Sequence, residues 1–242
     1  NSCVNSDTMI VSVEAPQVAN AGTDLGICVN ASIYTLTGVT PSGGTWSGVG
    51  VTGNSFNPTT AGIGTHILTY SFGSGTCLST DSIIVTVHPF PTVAVNSEII
   101  CIGQTATLNA SGADTYSWTP NTNLSATTGA TVTTNPSSTI SYTVTGTNTT
   151  TGCSNTAIST VTVNPLPVVD AGASITLCDQ PIPYTLTGYS PSNGVWTGTG
   201  VTSGGLFTPN GVGDFVLTYT FTDLNSCVNS DTMIVSVEAP QV

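Results

Sequence analysis

Short runs in which apolar and polar residues alternate recur along the whole chain. Clear examples are THILTY at 65–70 and SIIVTV at 82–87. A period of two places successive side chains on opposite faces of a strand. Clusters of Gly, Pro, Asn and Ser interrupt these runs about every 8–12 residues, as turns between strands do. No segment keeps an apolar period of about 3.6 residues for the length of a helix. The pattern therefore predicts an all-β fold.

The runs belong to a repeat. The string NSCVNSDTMIVSVEAPQV occupies both 1–18 and 225–242, so positions 1–224 make one full period, called here the repeat unit. IYTLTG at 33–38 returns as PYTLTG at 183–188, and a divergent copy begins with TATLNASG at 105–112. Fixed-period similarity of this kind indicates an array of small structural units. We expect the natural protein to carry the repeat unit in tandem.

Each copy ends in a Val/Thr alternation followed by prolines, as in VTVHPFP and VTVNPLP. This ending predicts a last strand that runs into a short, stiff link. We predict small Ig-like antiparallel β-sandwiches arranged as beads on a string. The predicted boundaries are the last strand of a preceding module at 1–16, a first module at 17–90, a divergent middle module at 91–166, and a third module at 167–242.

Seven cysteines fit this division. Cys28 and Cys77 fall in the first module, Cys101 and Cys153 in the middle module, and Cys178 and Cys227 in the third, while Cys3 is the image of Cys227. We therefore predict one disulfide within each module, with the partner of Cys3 lying upstream. The alternative, a metal site, needs four clustered ligands at short spacing such as C-x-x-C, which the sequence lacks. Disulfides favour an oxidising, extracellular location.

A tryptophan follows each first cysteine at a nearly constant distance along the chain, at Trp46, Trp118 and Trp196. The order Cys–Trp–Cys resembles that of immunoglobulin domains, in which the tryptophan packs in the core. Here the second cysteine begins the last strand, whereas in antibodies it lies within the strand before it. We predict that all three tryptophans are core residues. A sugar-stacking platform is the alternative.

Charge and histidine usage narrow the possible functions. The chain has no Lys or Arg and a net charge of −12. Nucleic acids and anionic membrane surfaces are bound mainly through cations, so neither is an expected partner. No apolar run approaches the ~20 residues that span a bilayer. His66 and His88 are replaced in the other modules by Phe215 and by Asn164 or Glu238, so the sequence predicts no catalytic site and no enzyme.

Calcium is the one cofactor for which the sequence offers candidate ligands. Asp24, Asp170, Asp179 and Glu238, with its copy Glu14, fall near the predicted module junctions. Carboxylates are calcium ligands, and calcium at junctions can stiffen a row of domains. No D-x-D-x-D loop is present, and solvated surface acids are the alternative. We retain these four residues as weak calcium candidates.

The whole chain also resembles a known family. A module that begins like VDAGASITLC, continues through YTLTG, W-[ST]-G-x-G and LTY, and ends with a cysteine and DTMIVSV is similar to the tandem Ig-like/PKD-like modules of giant cell-surface adhesins of Bacteroidetes. The SprB-type gliding adhesins are the members of that family that the chain resembles. The resemblance implies export by the type IX system and display as surface filaments that touch a substratum. The same modules also serve as passive spacers of secreted enzymes or carbohydrate-binding proteins.

The resemblance also implies a modification. O-glycosylation in Bacteroidetes is associated with Asp-[Ser/Thr]-apolar, which occurs at Asp7-Thr8-Met9, Asp81-Ser82-Ile83 and Asp231-Thr232-Met233. Glycans on Thr8, Ser82 and Thr232 would make the chain a glycoprotein. The middle module has Asn155-Thr156-Ala157 instead. The alternative is that each Asp caps a turn before the last strand.

Overall fold

The structure is a computed structural model that describes residues 2–13, 15 and 17–240. It confirms the all-β class. Glu14, one of the acidic residues discussed above, lies outside the described residues. Among the described residues, no helix has the length and apolar character needed to cross a membrane.

The first module folds as two facing sheets. One sheet has the strand order β1-β7-β6-β3 and the other β2-β5-β4. A four-residue helix, α1, and a 3₁₀ turn at Gly75–Cys77 complete the module. The bounds are β1 Leu25–Cys28, β2 Tyr34–Thr35, β3 Thr45–Ser47, β4 Val51–Thr52, β5 Ser55–Phe56, α1 Pro58–Ala61, β6 Gly64–Phe72 and β7 Ser79–His88.

The middle and third modules repeat this plan. Their four-stranded sheets have the orders β11-β13-β14-β9 and β15-β20-β19-β17, and their smaller sheets β12-β10-β8 and β16-β18. The middle strands are β8 Ala94–Val95, β9 Glu98–Cys101, β10 Ala106–Ser111, β11 Thr115–Thr119, β12 Thr131–Thr134, β13 Ile140–Thr147 and β14 Ser154–Asn164. Those of the third module are β15 Ile175–Cys178, β16 Tyr184–Thr185, β17 Val195–Thr197, β18 Leu206–Phe207, β19 Gly213–Thr222 and β20 Val228–Glu238.

One strand pair in each four-stranded sheet is parallel. The short first strand runs alongside the end of the last strand, so that Cys28 lies opposite His88, Cys101 opposite Asn164, and Cys178 opposite Glu238. The prediction of antiparallel sandwiches did not include this parallel pair. Its consequence is that the first cysteine of every module lies where the last strand ends.

The chain divides into two compact units. The first contains residues 1–94, 111–116 and 145–156, and the second contains 95–110, 117–144 and 157–242. In the first unit, alternate residues of β7 bury Ile83, Val85 and Val87 in a core with Trp46 and Leu68. In the second unit, β20 buries its alternate residues against Trp196 in the same way. The predicted module boundaries stay a prediction.

The first copy of the eighteen-residue string behaves differently from the second. Among the described residues of 2–18, none belongs to a strand, although the same sequence forms β20 at the other end of the chain. Met9, Val11 and Val13 are 69–90% exposed, whereas their images Met233, Val235 and Val237 are at most 3% exposed. The strand predicted at 1–16 is therefore not formed by the residues described there.

Candidate functional site

The first cysteine of each module has the same backbone setting in all three copies. The residue after it donates its N–H to the carbonyl of the last residue of the last strand: Val29 to His88, Ile102 to Asn164, and Asp179 to Glu238, at 2.8–2.9 Å. These hydrogen bonds extend the parallel pairing by one residue. They hold Cys28, Cys101 and Cys178 at the end of each module from which the chain leaves.

The second cysteine lies at the opposite end. Cys77 ends the 3₁₀ turn before β7, Cys153 directly precedes β14, and Cys227 directly precedes β20. Local hydrogen bonds position the latter two, from the Cys153 N–H to Thr151 Oγ1 (3.3 Å) and from the Cys227 N–H to Asp223 Oδ1 (2.8 Å). In each module, therefore, the second cysteine lies at the start of the last strand, and the first cysteine lies beside the end of that strand.

Two disulfides cross the module boundaries. Cys28 of the first module bonds to Cys153 of the middle module, with Cα atoms 5.6 Å apart. Cys101 of the middle module bonds to Cys227 of the third, with Cα atoms 5.5 Å apart. Each bond lies inside one of the two compact units. Cys3, Cys77 and Cys178 are exposed free thiols.

The predicted pairing of Cys28 with Cys77, Cys101 with Cys153, and Cys178 with Cys227 is therefore wrong. The physical reason is the length of the last strand. A ten-residue strand such as β7 separates its two ends by roughly 30 Å, whereas disulfide geometry requires Cα atoms within about 7 Å. The predicted partners stand at opposite ends of one module, so each first cysteine bonds instead to the second cysteine of the following module.

The sequence did contain a signal for this arrangement. Each second cysteine comes just before a last strand, whereas each first cysteine ends a short strand near the beginning of its module. The missing step was the parallel pairing that places this short strand beside the far end of the last strand. Without that register, the equal spacing of the two cysteines in every module pointed to pairing inside the module.

The tryptophans lie in the cores. Trp46, Trp118 and Trp196 are 8%, 2% and 2% exposed. Trp118 Nε1 donates to the Gly129 carbonyl at 2.9 Å. A sugar-stacking platform needs an open aromatic face, which these buried rings do not offer.

A tyrosine beside the tryptophan closes the neighbouring loop, a role that the sequence analysis missed. The Tyr219 hydroxyl donates to the Pro191 carbonyl (2.5 Å) and accepts the Gly194 N–H (2.7 Å). Tyr70 makes the same two contacts in the first module, with Pro41 and Gly44. A Cβ at Gly194 would collide with the Tyr219 ring, so glycine is required there.

The calcium candidates do not converge. Asp24 Oδ1 accepts the Ile84 N–H at 2.8 Å, and Asp170 Oδ1 accepts the Gly172 N–H at 2.8 Å. Asp179 and Glu238 are neighbours through their backbones. In the part of the chain that the structure describes, no group of three or more His, Cys, Asp or Glu residues could hold a metal ion.

The role of Asp24 is shared with neutral residues in the other modules. Ser97 Oγ accepts the Thr160 N–H, and Ser174 Oγ accepts the Ile234 N–H, at 3.0–3.1 Å. Each of these side chains ties the beginning of its module to the middle of the last strand. Since serine serves as well as aspartate, this position needs a hydrogen-bond acceptor and not a charge.

The aspartates of the glycosylation motif have structural partners. Asp81 accepts the Ala21 N–H (2.8 Å) and Asp231 accepts the Ala171 N–H (2.9 Å), which fastens the entering chain to the last strand. These bonds lower the pKa of both carboxyl groups, and the N–H of the following residue adds to the effect. The neighbouring Ser82 and Thr232 are exposed, as is Thr8. Glycosylation of these hydroxyls stays a prediction.

The register also corrects the alignment of the middle module. Asp231 follows Cys227 by four residues, and Ala157 follows Cys153 by four. Met233 then corresponds to Ser159, and both residues are buried. Ala157, and not Asn155, therefore stands where the other modules have the aspartate.

The two histidines have local contacts. His66 Nε2 lies 2.9 Å from the Gly62 carbonyl oxygen, and its ring centroid is 6.3 Å from that of Phe56. His88 ends β7 opposite Cys28, with its ring near Gly26.

No family model and no curated protein sequence matches this chain. Among solved structures, it is similar to the I-band fragment I67–I69 from titin, with 12% identity, a TM-score of 0.42, and coverage of 95% of this chain and 100% of the other. Drosophila OTK extracellular domains 3–5 give 11% identity, a TM-score of 0.33, and coverage of 91% and 96%. The insect immune protein hemolin is similar at 12% identity and a TM-score of 0.34, with coverage of 92% of this chain and 75% of the other. These TM-scores are low, so the fold assignment rests on the strands and sheets described above.

Proposed function

We propose that this chain is a force-transmitting repeat segment of an extracellular bacterial filament or stalk with an adhesive role at the cell surface. The single observation that carries the proposal is the pair of disulfides that joins consecutive modules. A bond within a module stabilises that module alone. A bond between modules adds a second covalent route past the proline link, so force passes from one module to the next without unfolding either.

The environment of the bonded sulfurs supports a structural use. Cys153 and Cys227 are 0% exposed and Cys101 is 6% exposed, while Cys28 is half-buried. Buried disulfides are protected from exchange with soluble thiols, whereas regulatory or catalytic ones are exposed. Closing a loop of 125 residues contributes up to about 5 kcal/mol in the chain-entropy model.

The surface chemistry fits a protein displayed at high density. Twelve acids without a compensating Lys or Arg make neighbouring copies repel one another. The absence of Lys and Arg also leaves trypsin-like proteases nothing to cleave. A tandem array gives reach, and repetition gives avidity for any ligand that a module binds. Export by the type IX system and a role in gliding motility are part of this proposal through the family resemblance.

Electron microscopy of intact cells tests the proposed function. Antibodies raised against this chain and coupled to gold should label thin, beaded fibres at the cell surface. Label on compact secreted particles would overturn the proposal in favour of a passive spacer in a secreted enzyme or carbohydrate-binding protein, and label inside the cells would overturn both. Sequencing outwards from the repeat provides the control, because a spacer would adjoin a catalytic or sugar-binding domain.

A further inference from the structure

The two disulfides follow one rule. The first cysteine of a module bonds to the second cysteine of the module that follows it, across 125 residues in one case and 126 in the other. The same rule leaves three cysteines without a partner inside this chain. Cys178 would need a following module, while Cys77 and Cys3 would each need an earlier one. These three are the free thiols.

Cys178 has the geometry of its two bonded counterparts. It ends a parallel first strand opposite the last residue of β20, as Cys28 does opposite β7 and Cys101 opposite β14. The hydrogen bond that follows it is also the same, from the Asp179 N–H to the Glu238 carbonyl at 2.8 Å. Its sulfur therefore stands at the end of the third module that faces the next link.

Cys178 also adjoins an open recess of about 210 Å³ whose lining is both polar and apolar. Ile182, which lines it, is 65% exposed, and Tyr184 is 38% exposed. Cys77, in turn, is followed by Leu78, which is 54% exposed. The bonded second cysteines are fully buried, whereas Cys77 is exposed. Both thiols thus lie beside exposed apolar side chains.

The repeat supplies the missing partner. In the next copy of the repeat unit, Cys77 follows Cys178 at nearly the same separation as in the two existing loops, which are 125 and 126 residues. The same displacement makes Cys3 the image of Cys227, whose partner is Cys101. In a tandem array, this rule gives every cysteine of an internal copy a disulfide partner.

We propose that Cys178 forms a disulfide with Cys77 of the next copy of the repeat unit in the same chain, and that Cys3 bonds Cys101 of the preceding copy. The inference rests on the tandem repeat assumed in the proposed function. In each case, the two thiols lose two protons and two electrons. An acceptor disulfide, on a thiol oxidoreductase or on oxidised glutathione, takes them up and becomes two thiols.

The array that results has two interleaved covalent routes. One runs from Cys28 across to Cys153, along the chain to Cys178, and across to the next copy. Stretched at about 3.5 Å per residue, the segment from Cys153 to Cys178 spans roughly 90 Å, whereas the whole segment from Cys28 to Cys178 would span roughly 525 Å. The disulfides therefore make the array nearly inextensible even when its modules unfold.

Disulfide mapping tests the inference in the protein of native length. Free thiols are alkylated and the protein is then digested with pepsin, because trypsin has no site to cleave and acid suppresses exchange. We expect a linked peptide pair that contains Cys178 and Cys77. Alkylated Cys178, or Cys178 linked to Cys227, would overturn the proposal.

A two-copy chain, residues 1–242 followed by 19–242 and oxidised with glutathione, provides the defined comparison. It contains thirteen cysteines, and the proposal predicts five disulfides and three thiols, at the Cys3 and Cys77 of the first copy and the Cys178 of the second. Five thiols, or a bond that appears only between separate chains on a non-reducing gel, would contradict it. Cys178→Ser in the first copy should expose one more thiol, at the Cys77 of the second copy.

These results are independent of where the protein resides. A linked Cys178–Cys77 peptide from a protein that is not at the cell surface would overturn the proposed function and leave the disulfide rule intact. Labelled surface fibres together with alkylated Cys178 would support the proposed function and overturn the disulfide rule.

Discussion

The overlap of the two disulfide loops determines how far the chain can be stretched. When its ends are pulled apart in a single-molecule experiment, the reduced chain can extend through all of its residues. In the oxidised chain, the shortest covalent path crosses from Cys28 to Cys153, runs back along the chain to Cys101, and crosses to Cys227. This path leaves about 147 residues free of load. At about 3.5 Å per residue, the oxidised contour should be shorter by roughly 515 Å.

The two bonds add only in part. The segment 101–153 belongs to both loops, so a path that crosses both disulfides must run back along that segment. Cys28–Cys153 alone hides 125 residues, and Cys101–Cys227 alone hides 126. Removing either bond should therefore lengthen the oxidised contour by roughly 75 Å. Removing both should restore the full difference of roughly 515 Å.

The assay uses a background in which Cys3, Cys77 and Cys178 are serine, which prevents exchange with free thiols. In this background, Cys101→Ser with Cys227→Ser should lengthen the contour by only roughly 75 Å, and the reciprocal pair Cys28→Ser with Cys153→Ser, which should lengthen it by nearly the same amount, serves as the matched control. Pairing within modules would instead keep only the bond between Cys101 and Cys153. The double variant would then lengthen by roughly 180 Å, the stretched length of that smaller loop, and this result would refute the reasoning.

Three further predictions concern the modules themselves. Gly194→Ala should lower the free energy of unfolding of the third module by about 1–3 kcal/mol in denaturant titration, because the added Cβ would displace the Tyr219 ring. The control Gly204→Ala, which has open space around it, should leave this free energy unchanged. Equal effects of the two substitutions would contradict the prediction. The Ala171 N–H lowers the pKa of Asp231, so its stabilisation is present at neutral pH and is lost as the pH falls through the lowered folded-state pKa. Asp231→Asn should flatten that acid dependence of the unfolding free energy, and Asp7→Asn, in the unpaired copy of the same sequence, should not; an unchanged profile for Asp231→Asn would disprove the role. Glycosylation of Thr8, Ser82 and Thr232 should raise the intact mass of the exported protein, and replacing all three residues with alanine should remove that increment. A mass equal to that of the bare oxidised chain would rule the glycans out.

Local pattern was enough to predict the strands, because alternation records which side of a strand faces the core. The last strands provide the clearest case, where Ile83, Val85 and Val87 were placed on one face by sequence and are buried together. The tryptophans were predicted in the core for the same kind of reason. Such properties depend on neighbours within a few residues, and these are visible in the sequence.

The disulfide partners could not be predicted in this way. Pairing depends on which strand ends meet in space, and that follows from the parallel register between the first and last strands of each module. The equal spacing of cysteines within modules agreed with the repeat, but so did the equal spacing across modules. Only the length of the last strand, roughly 30 Å, separates the two arrangements. The hydroxyl contacts of Tyr70 and Tyr219 were missed for a related reason, since their loop partners lie 25–29 residues away.

The repeated string NSCVNSDTMIVSVEAPQV separates what the sequence determines from what the tertiary structure determines. By itself it determined an alternating apolar face, a cysteine before a strand, and the period of the repeat. It did not determine whether a strand forms: residues 228–238 pair with β15 and β19, while the described residues of 2–18 pair with no strand. A strand satisfies its backbone hydrogen bonds and buries its apolar face only against partners. The tertiary structure supplies those partners to one copy of the string and not to the other.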